Sequence, residues 1–273
     1  MKVALVHDWL TGTRGGEKVL LELVRLFPGA TIFTLFHFPG TVPAEIEACE
    51  IRTTFLQKLV ARERNYRTLL PLFFAGAETW DFRGFDLVLS SSHCVAKNAR
   101  APHGALHVSY CHTPVRYLHD QFDEYFRARS LPVRAAARLV RGPLRTIDVV
   151  TSGRVDAFLA NSRNVAERIA RLYGRESLVV HPPVDTEFYT PAREPFPRSG
   201  LVVVSALAPY KRVDDAIALA NAKGVPLTIA GFGPEEERLR KLAGPSVRFA
   251  GVPTDAELRE LYRGAAAVLM PGE

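Results

Sequence analysis

The sequence predicts an α/β protein built from two Rossmann-like, doubly wound parallel-sheet domains, the second of them incomplete. Three observations predict it. Short apolar runs of β-forming residues alternate with stretches of helical period along the whole 273-residue chain, a pattern that gives parallel sheets wrapped by helices. The chain opens as strand, glycine-rich loop, helix and strand, which is a βαβ unit. A charged, proline-rich stretch near residue 190 interrupts the alternation, which then restarts. The length agrees, since roughly 150 residues per domain gives about two domains.

Residues 2–6 are an unbroken apolar run after Lys2 and read as a fully buried strand. Gly12, Gly15 and Gly16 mark the loop over 11–16. Over 17–27, Val19, Leu20, Leu23, Val24 and Phe27 recur at helical spacing, and Pro28-Gly29 stops the helix. A second strand is expected over 31–36. Residues 53–78 read as mostly helical, with Pro71 as a break. Strands follow at 86–90 and 106–110, then a helical stretch over 134–150 interrupted at Gly142-Pro143. A strand at 157–160, a helix at 161–173 ended by Gly174 and a strand at 178–180 complete a domain over 1–190.

Pro191, Pro195 and Pro197 among charges mark a linker over 191–199. The second domain, over 200–273, carries expected strands at 201–205, 226–230, 247–250 and 265–270, with helices at 213–221, 235–242 and 255–263. The strand at 265–270 is expected beside that at 201–205, where strand order reverses. A doubly wound sheet usually runs to about six strands, so the chain reads as truncated at its C-terminus.

Composition narrows the function. Lys and Arg total 35 against 29 Asp and Glu, a formal charge of +6. That balance favours an anionic partner: nucleic acid, an acidic membrane surface or a phosphorylated substrate. The longest apolar runs fall far short of the ~20 residues of a membrane span. The N-terminus, ending its first strand in His7 and Asp8, is not a secretory signal. The odd set Cys49, Cys94 and Cys111 lacks metal spacing and reads as reduced thiols of a cytosolic protein, with no metal site.

Ligands of open α/β sheets bind outside the carboxyl ends of the strands, so four loops are candidates. Gly15 and Gly16 open a helix, where backbone N–H groups and the helix dipole can hold an anion; the spacing is not that of a dinucleotide fingerprint. His112 follows the strand at 106–110 and can bond a sugar hydroxyl or a phosphate, or move a proton. Lys211 and Arg212 follow the strand at 201–205 and can clamp a diphosphate; cations at a helix start are otherwise disfavoured. Gly231-Phe232-Gly233-Pro234 reads as a structural turn beside that loop.

Together these loops resemble a known family. His7-Asp8-Trp9 with Gly15-Gly16, Tyr110-Cys111-His112-Thr113-Pro114 with Arg116-Tyr117-Leu118, Ala160-Asn161-Ser162, Pro182-Pro183-Val184-Asp185, Pro209-Tyr210-Lys211-Arg212-Val213-Asp214 and Gly231-Phe232-Gly233-Pro234 occur in the order and spacing of family 4 retaining glycosyltransferases of GT-B architecture. The run from Tyr110 to Leu118 most resembles the WbaZ-type mannosyltransferases of bacterial surface polysaccharide assembly. The resemblance implies transfer of a hexosyl group, mannosyl from GDP-mannose on the closest likeness, from a nucleotide diphospho-sugar to a polysaccharide or lipid-linked glycan, without cofactor or metal. It implies donor phosphate contacts at Gly15 and Gly16, His112 beside the transferred sugar as the catalytic residue, and diphosphate binding by Lys211. It makes no use of nucleic acid.

Two positions depart from the family pattern. The arginine that usually accompanies the lysine falls at Ala206, leaving Arg212 as the replacement cation. Of the family's paired glutamates, which hold donor sugar and ribose, Glu273 stands at or just before the first, and the second is absent. A non-catalytic nucleotide-sugar-binding or scaffolding protein of the same fold, and a sugar-nucleotide epimerase, are the competing readings. A cytoplasmic location, peripheral on the inner face of the plasma membrane, is expected from Arg127, Arg129, Arg134, Arg138, Arg141 and Arg145. The last four share one helical face if Gly142-Pro143 only kinks the helix.

Overall fold

The computed structural model describes residues 1–60, 63–126, 130–192 and 197–272, which fall into two compact units, Met1–Pro183 and Val184–Glu273. The first contains β1 (Val3–His7), α1 (Gly15–Leu26), β2 (Thr31–Thr34), α2 (Ala44–Glu47), β3 (Ile51–Thr53), α3 (Phe73–Ala77), β4 (Leu87–Ser92), β5 (Leu106–Cys111), α4 (Phe122–Phe126), α5 (Leu131–Thr151), β6 (Ala157–Ala160), α6 (Arg163–Tyr173) and β7 (Ser177–Val179). Its seven strands form one parallel sheet in the order β3-β2-β1-β4-β5-β6-β7. Strand order reverses at β1 and β4, and the crevice beyond their carboxyl ends is where such sheets take ligands.

Alternate residues of β1 serve opposite faces. Ala4 and Val6 join an aromatic-rich core with Phe33, Phe36, Phe73 and Trp80. Val3 and Leu5 join Leu20, Ile32 and Ile46 on the other side. Burial on both faces is why this strand reads as an unbroken apolar run. Helix α6 starts where the Ser162 hydroxyl accepts from the Val165 N–H at 3.2 Å, and it ends at Gly174 with φ of 64°.

Two expectations change, and one strand appears beyond those expected. The stretch over 53–78 is mostly 3-10 helix, at Phe55–Leu59 and Glu63–Leu72, with Pro71 inside the second run and only α3 a true α-helix. The edge strand β3 is three residues long and partly exposed, too short to show a period. Helix α5 passes through Gly142-Pro143 unbroken. Both residues lie on its exposed side, while Leu144 and Asp148 anchor its inner side in the unit.

The second unit contains β8 (Leu201–Val204), α7 (Val213–Lys223), β9 (Leu227–Ala230), α8 (Glu236–Leu242), β10 (Val247–Gly251), α9 (Asp255–Gly264) and β11 (Ala267–Val268). Its parallel sheet runs β10-β9-β8-β11. Ala267 and Val268 pair with Leu201 and Val202, so the last strand lies beside the first, although only two residues of the expected 265–270 are strand. The unit begins at Val184, ahead of the expected linker over 191–199, because residues just before it pack on α9. The Tyr189 hydroxyl donates to Asp255 at 3.1 Å, Arg263 donates to the Thr190 carbonyl at 2.9 Å, and Arg259 covers the Phe188 ring. Residues 193–196 of that stretch, Pro195 included, lie outside the described residues.

Candidate functional site

In the first unit the carboxyl ends of β1, β4 and β5 bring together His7, Ser91 and His112. Ser91 Oγ lies 2.9 Å from His112 Nε2 and 3.2 Å from His7 Nδ1. His7 Nε2 has no hydrogen-bond partner at ordinary distance among the described residues; Glu17 Oε1 stands 3.7 Å away. The other Glu17 oxygen accepts from the Arg14 N–H at 2.9 Å, so the first turn of α1 is held over the histidines. His112 is fixed through its backbone as well: its N–H donates to the Ser92 carbonyl at 2.8 Å, and its carbonyl accepts from Asn161 Nδ2 at 3.0 Å.

The two glycines differ. A Cβ on Gly15 would meet nothing within 4 Å, whereas one on Gly16 would lie 3.3 Å from His7 Cε1 and 3.7 Å from His112 Nε2. Gly16 lets the helix start close on the histidine pair, whereas a side chain at position 15 would point into open space. The helix N-terminus therefore opens beside His112, as an anion site at a strand end requires.

Electrostatics keep His112 neutral. Burial, reinforced by the neighbouring His7 and His93 rings and opposed by Asp8 and Glu17, lowers its pKa to about 3. Burial also works to raise the Glu17 carboxyl, but its interaction with the His7 ring and with backbone N–H groups outweighs it and the net direction is down. Asp8 is wholly buried and accepts four backbone N–H bonds, from His93, Cys94, Val95 and Ala96 at 2.6–2.9 Å. His93 Nδ1 lies 3.1 Å from the same carboxylate. Asp8 thus shapes the loop that follows β4. Among the described residues no group of three or more His, Cys, Asp or Glu is placed to hold a metal ion. All three cysteines are free thiols, and burial pushes Cys111 up to about 12.

In the second unit Lys211 ends a 3-10 turn, Pro209–Lys211, at the carboxyl end of β8. Its ammonium lies 5.4 Å from the Tyr210 ring centre, and among the described residues no carboxylate lies within ion-pair distance of it. Arg212 adopts φ of 48°, the only positive φ outside glycine among the described residues, and caps α7. Its guanidinium pairs with Asp215 at 2.8 Å. The unfavourable dipole at Arg212 is therefore answered within the helix, and the anion argument rests on Lys211. Ala206 is exposed on the same loop. Gly272, after β11, packs on this turn, since a Cβ there would lie 3.2 Å from the Tyr210 carbonyl oxygen and 3.3 Å from Lys211 Cα. Glu273 lies outside the described residues.

Gly231 and Gly233 are structural. A Cβ on Gly231, whose φ is 137°, would lie 1.9 Å from the Ser205 carbonyl oxygen, and one on Gly233 2.3 Å from that of Leu207. They let the loop after β9 touch the loop after β8.

The arginines of α5 flank its outward face and differ among themselves: Arg138 and Arg145 are exposed, whereas Arg134 and Arg141 are half-buried. Arg141 turns inward and donates to the carbonyls of Leu118, at 2.9 Å, and His119, with Phe122 against its guanidinium. Arg138 leans toward Asp123. The side away from the unit carries Leu131, Leu139 and Val150, at 77, 80 and 70% exposure, with Ile147, Val133 and Val140 along one border. Arg127 and Arg129 lie outside the described residues. No helix among the described residues is long and apolar enough to cross a membrane.

Solved structures share this architecture. The apo lipopolysaccharide outer core galactosyltransferase WaaB matches 100% of this chain and 74% of its own at 18% identity, with a TM-score of 0.58. Anabaena Alr3699/HepE in complex with UDP matches 100% and 74% at 14% identity and 0.61. Sucrose-phosphate synthase from Thermosynechococcus elongatus matches 100% and 76% at 14% identity and 0.63. At these identities the likeness is one of fold, the GT-B arrangement of two α/β units. No curated protein matches the chain. The sequence profile described as Glycosyltransferase Family 4 matches residues 13–188, more than half of the chain and every residue named in the first site except His7 and Asp8, and the chain belongs to that family.

Proposed function

We propose that the protein transfers a hexosyl group, mannosyl from GDP-mannose on the closest sequence likeness, from a nucleotide diphospho-sugar to a hydroxyl of a polysaccharide or lipid-linked glycan, with retention at the anomeric carbon. The observation that carries this reading is His112, held neutral at the end of β5 beside the glycine-opened start of α1. The bond from the anomeric carbon to the diphosphate breaks, a bond to the acceptor oxygen forms on the same face, and the acceptor proton leaves with the diphosphate. The chemical demand is to stabilise charge growing on the leaving group, which cations and backbone N–H groups meet without a metal. Lys211 supplies the cation, Gly15 and Gly16 supply N–H groups, and Glu273 holds the sugar. Arg212 is the second cation for the diphosphate, beside its exposed pair with Asp215. The solved complex of HepE with UDP and glucose supports a nucleotide and a sugar as ligands of this architecture.

The experiment is release of nucleoside diphosphate over a panel of donors. Lys211→Ala should weaken nucleotide-sugar binding and turnover together, by ~100-fold or more in kcat/KM if it acts on the leaving group. His112→Ala should lower turnover with a smaller effect on nucleotide affinity. Wild-type turnover in both variants would remove the assignment. Binding without turnover on every donor would favour the scaffolding reading, to which Ala206 also points.

The acceptor side involves an anionic membrane, met by the apolar face of α5 rather than by its arginines. Leu131, Leu139 and Val150 enter the interface, while Arg134, Arg138 and Arg145 reach headgroups from the flank at about 1 kcal/mol each. This geometry favours a location peripheral on the inner face of the plasma membrane. Sedimentation with vesicles should rise with anionic lipid and fall with salt, and Leu139→Glu should reduce it more than Arg145→Ala. Binding equal on neutral vesicles, or dimerisation through the same face in place of binding, would overturn this part.

A further inference from the structure

We infer that a His7–Ser91–His112 hydrogen-bond relay, biased at its far end by the nearby Glu17 carboxylate, sets His112 with its proton on Nε2, so that Nδ1 meets the substrate as a hydrogen-bond acceptor. The identity of that substrate rests on the glycosyl-transfer reading; the relay itself does not.

The direction of every bond follows from the carboxylate at one end. Ionised Glu17 can only accept, and its Oε1 faces His7 Nε2 across 3.7 Å with both side chains buried. A lone pair on that nitrogen would point at a negative charge in a water-excluded space, so Nε2 carries the His7 proton. With one proton on the ring, His7 Nδ1 is an acceptor, and the Ser91 hydroxyl 3.2 Å away must donate to it. A hydroxyl has one proton. Having given it to His7, Ser91 Oγ can only accept at its other contact, 2.9 Å from His112 Nε2. His112 therefore carries its proton on Nε2 and a lone pair on Nδ1. Among the described residues Nδ1 has no hydrogen-bond partner, and it is not among the sealed, unpartnered buried atoms. It is the one polar atom of the ring left for a ligand.

The consequence is a choice of partner. An acceptor nitrogen repels phosphate oxygens and takes a hydrogen bond from a hydroxyl. His112 therefore reads a sugar or acceptor hydroxyl, while phosphate falls to the N–H groups at the start of α1. Ser91, His7 and Glu17 are positioning residues: they touch no substrate and act through the His112 ring. Gly16 is part of the device, since a side chain there would press on both histidines.

The test reads the tautomer directly and needs no donor. In the intact protein, labelled with 15N at its 8 histidines, His112 is identified by loss of its signals in His112→Ala. Long-range 1H–15N spectra should show Nε2 protonated and Nδ1 bare. Ser91→Ala and Glu17→Gln should each raise the Nδ1–H form, and Ser91→Thr, which keeps the hydroxyl, should restore the wild-type tautomer. Turnover in Ser91→Ala should fall by roughly tenfold, the worth of one hydrogen bond, mostly in kcat. A wild-type His112 protonated on Nδ1, as a doubly protonated His7 would impose by reversing the Ser91 hydroxyl, overturns the proposal. So does a tautomer unmoved in both Ser91→Ala and Glu17→Gln. If no donor is ever turned over, the tautomer result still stands or falls alone, so failure of the relay and failure of the transferase reading remain distinct.

Discussion

Replacing Asp8 by Ala is expected to destabilise the first unit by more than about 4 kcal/mol and to disorder the loop after β4. Four buried backbone N–H groups, those of His93, Cys94, Val95 and Ala96, lose their acceptor together. A buried donor left unpaired costs about 1–3 kcal/mol, and here four of them lie in one tight turn. Asp8→Asn should be damaging too, because its amide keeps one oxygen for two N–H groups and turns an NH2 donor toward the other two. Both tryptophans of the chain, Trp9 and Trp80, lie in the first unit, so their fluorescence follows urea unfolding of that unit alone. A midpoint within experimental error of wild type for Asp8→Ala would show that the carboxylate is not the keystone of the turn. Turnover should fall with the loop, since His93 and the β4 end that carries Ser91 are shaped by it.

The same region shows what the sequence could and could not disclose. His7 and His112 were findable, because each sits where an apolar run stops, and strand ends are where α/β sheets do chemistry. Ser91 was not. It is the middle of Ser90-Ser91-Ser92, and only the pleat separates the three: Ser90 Oγ turns to His107 at 3.0 Å, Ser91 to the histidine pair, and Ser92 Oγ to the Lys97 N–H. Glu17 passes in sequence for an ordinary first-turn acid that favours the dipole; its second role depends on a strand ten residues earlier. Helix α5 misled in a different way. Pro143 argued for a break, but the ring lies on the exposed side and the inner side is anchored, so tertiary contacts override the local signal. The four-three-four arginine spacing places these side chains along one side of the helix and could not say that Arg141 alone turns inward.

Asp148, on the buried side of α5, is the site of the second large effect. Its Oδ1 meets Lys97 Nζ at 2.8 Å, and its Oδ2 accepts from His119 at 2.8 Å and from the Tyr173 hydroxyl at 2.9 Å. Lys97 is 2% exposed and Asp148 fully buried. Asp148→Ala strands a buried ammonium and is expected to cost about 3–5 kcal/mol, whereas replacing both charges, as Lys97→Met with Asp148→Leu, should recover only part of the loss, because the His119 and Tyr173 donors stay unpaired. Burial pushes the Asp148 carboxyl up, but the Lys97 charge and the hydrogen bonds of His119 and Lys97 outweigh it, and the net direction is down. A depressed carboxylate stabilises the fold above the ordinary carboxylate range and loses that contribution as pH falls through its folded value. The gap between wild type and Asp148→Asn should therefore be full at pH 7 and narrow only below about pH 4. Burial drives His107 the opposite way for a base, down to about 4. It stabilises the fold above about pH 6.5 and loses its contribution between there and about 4, by roughly 3 kcal/mol if the full shift is realised. Wild type should thus weaken first as the unfolded chain protonates the buried His107 and His112 ahead of the fold, and again as Asp148 is protonated, and Asp148→Asn loses only the Asp148 contribution. Urea unfolding followed by tryptophan fluorescence at pH 7, 5 and 3.5 separates them. If the variant matched wild type at pH 7, or the gap closed already at pH 5, Asp148 would not be the charge that ties α5 to the sheet.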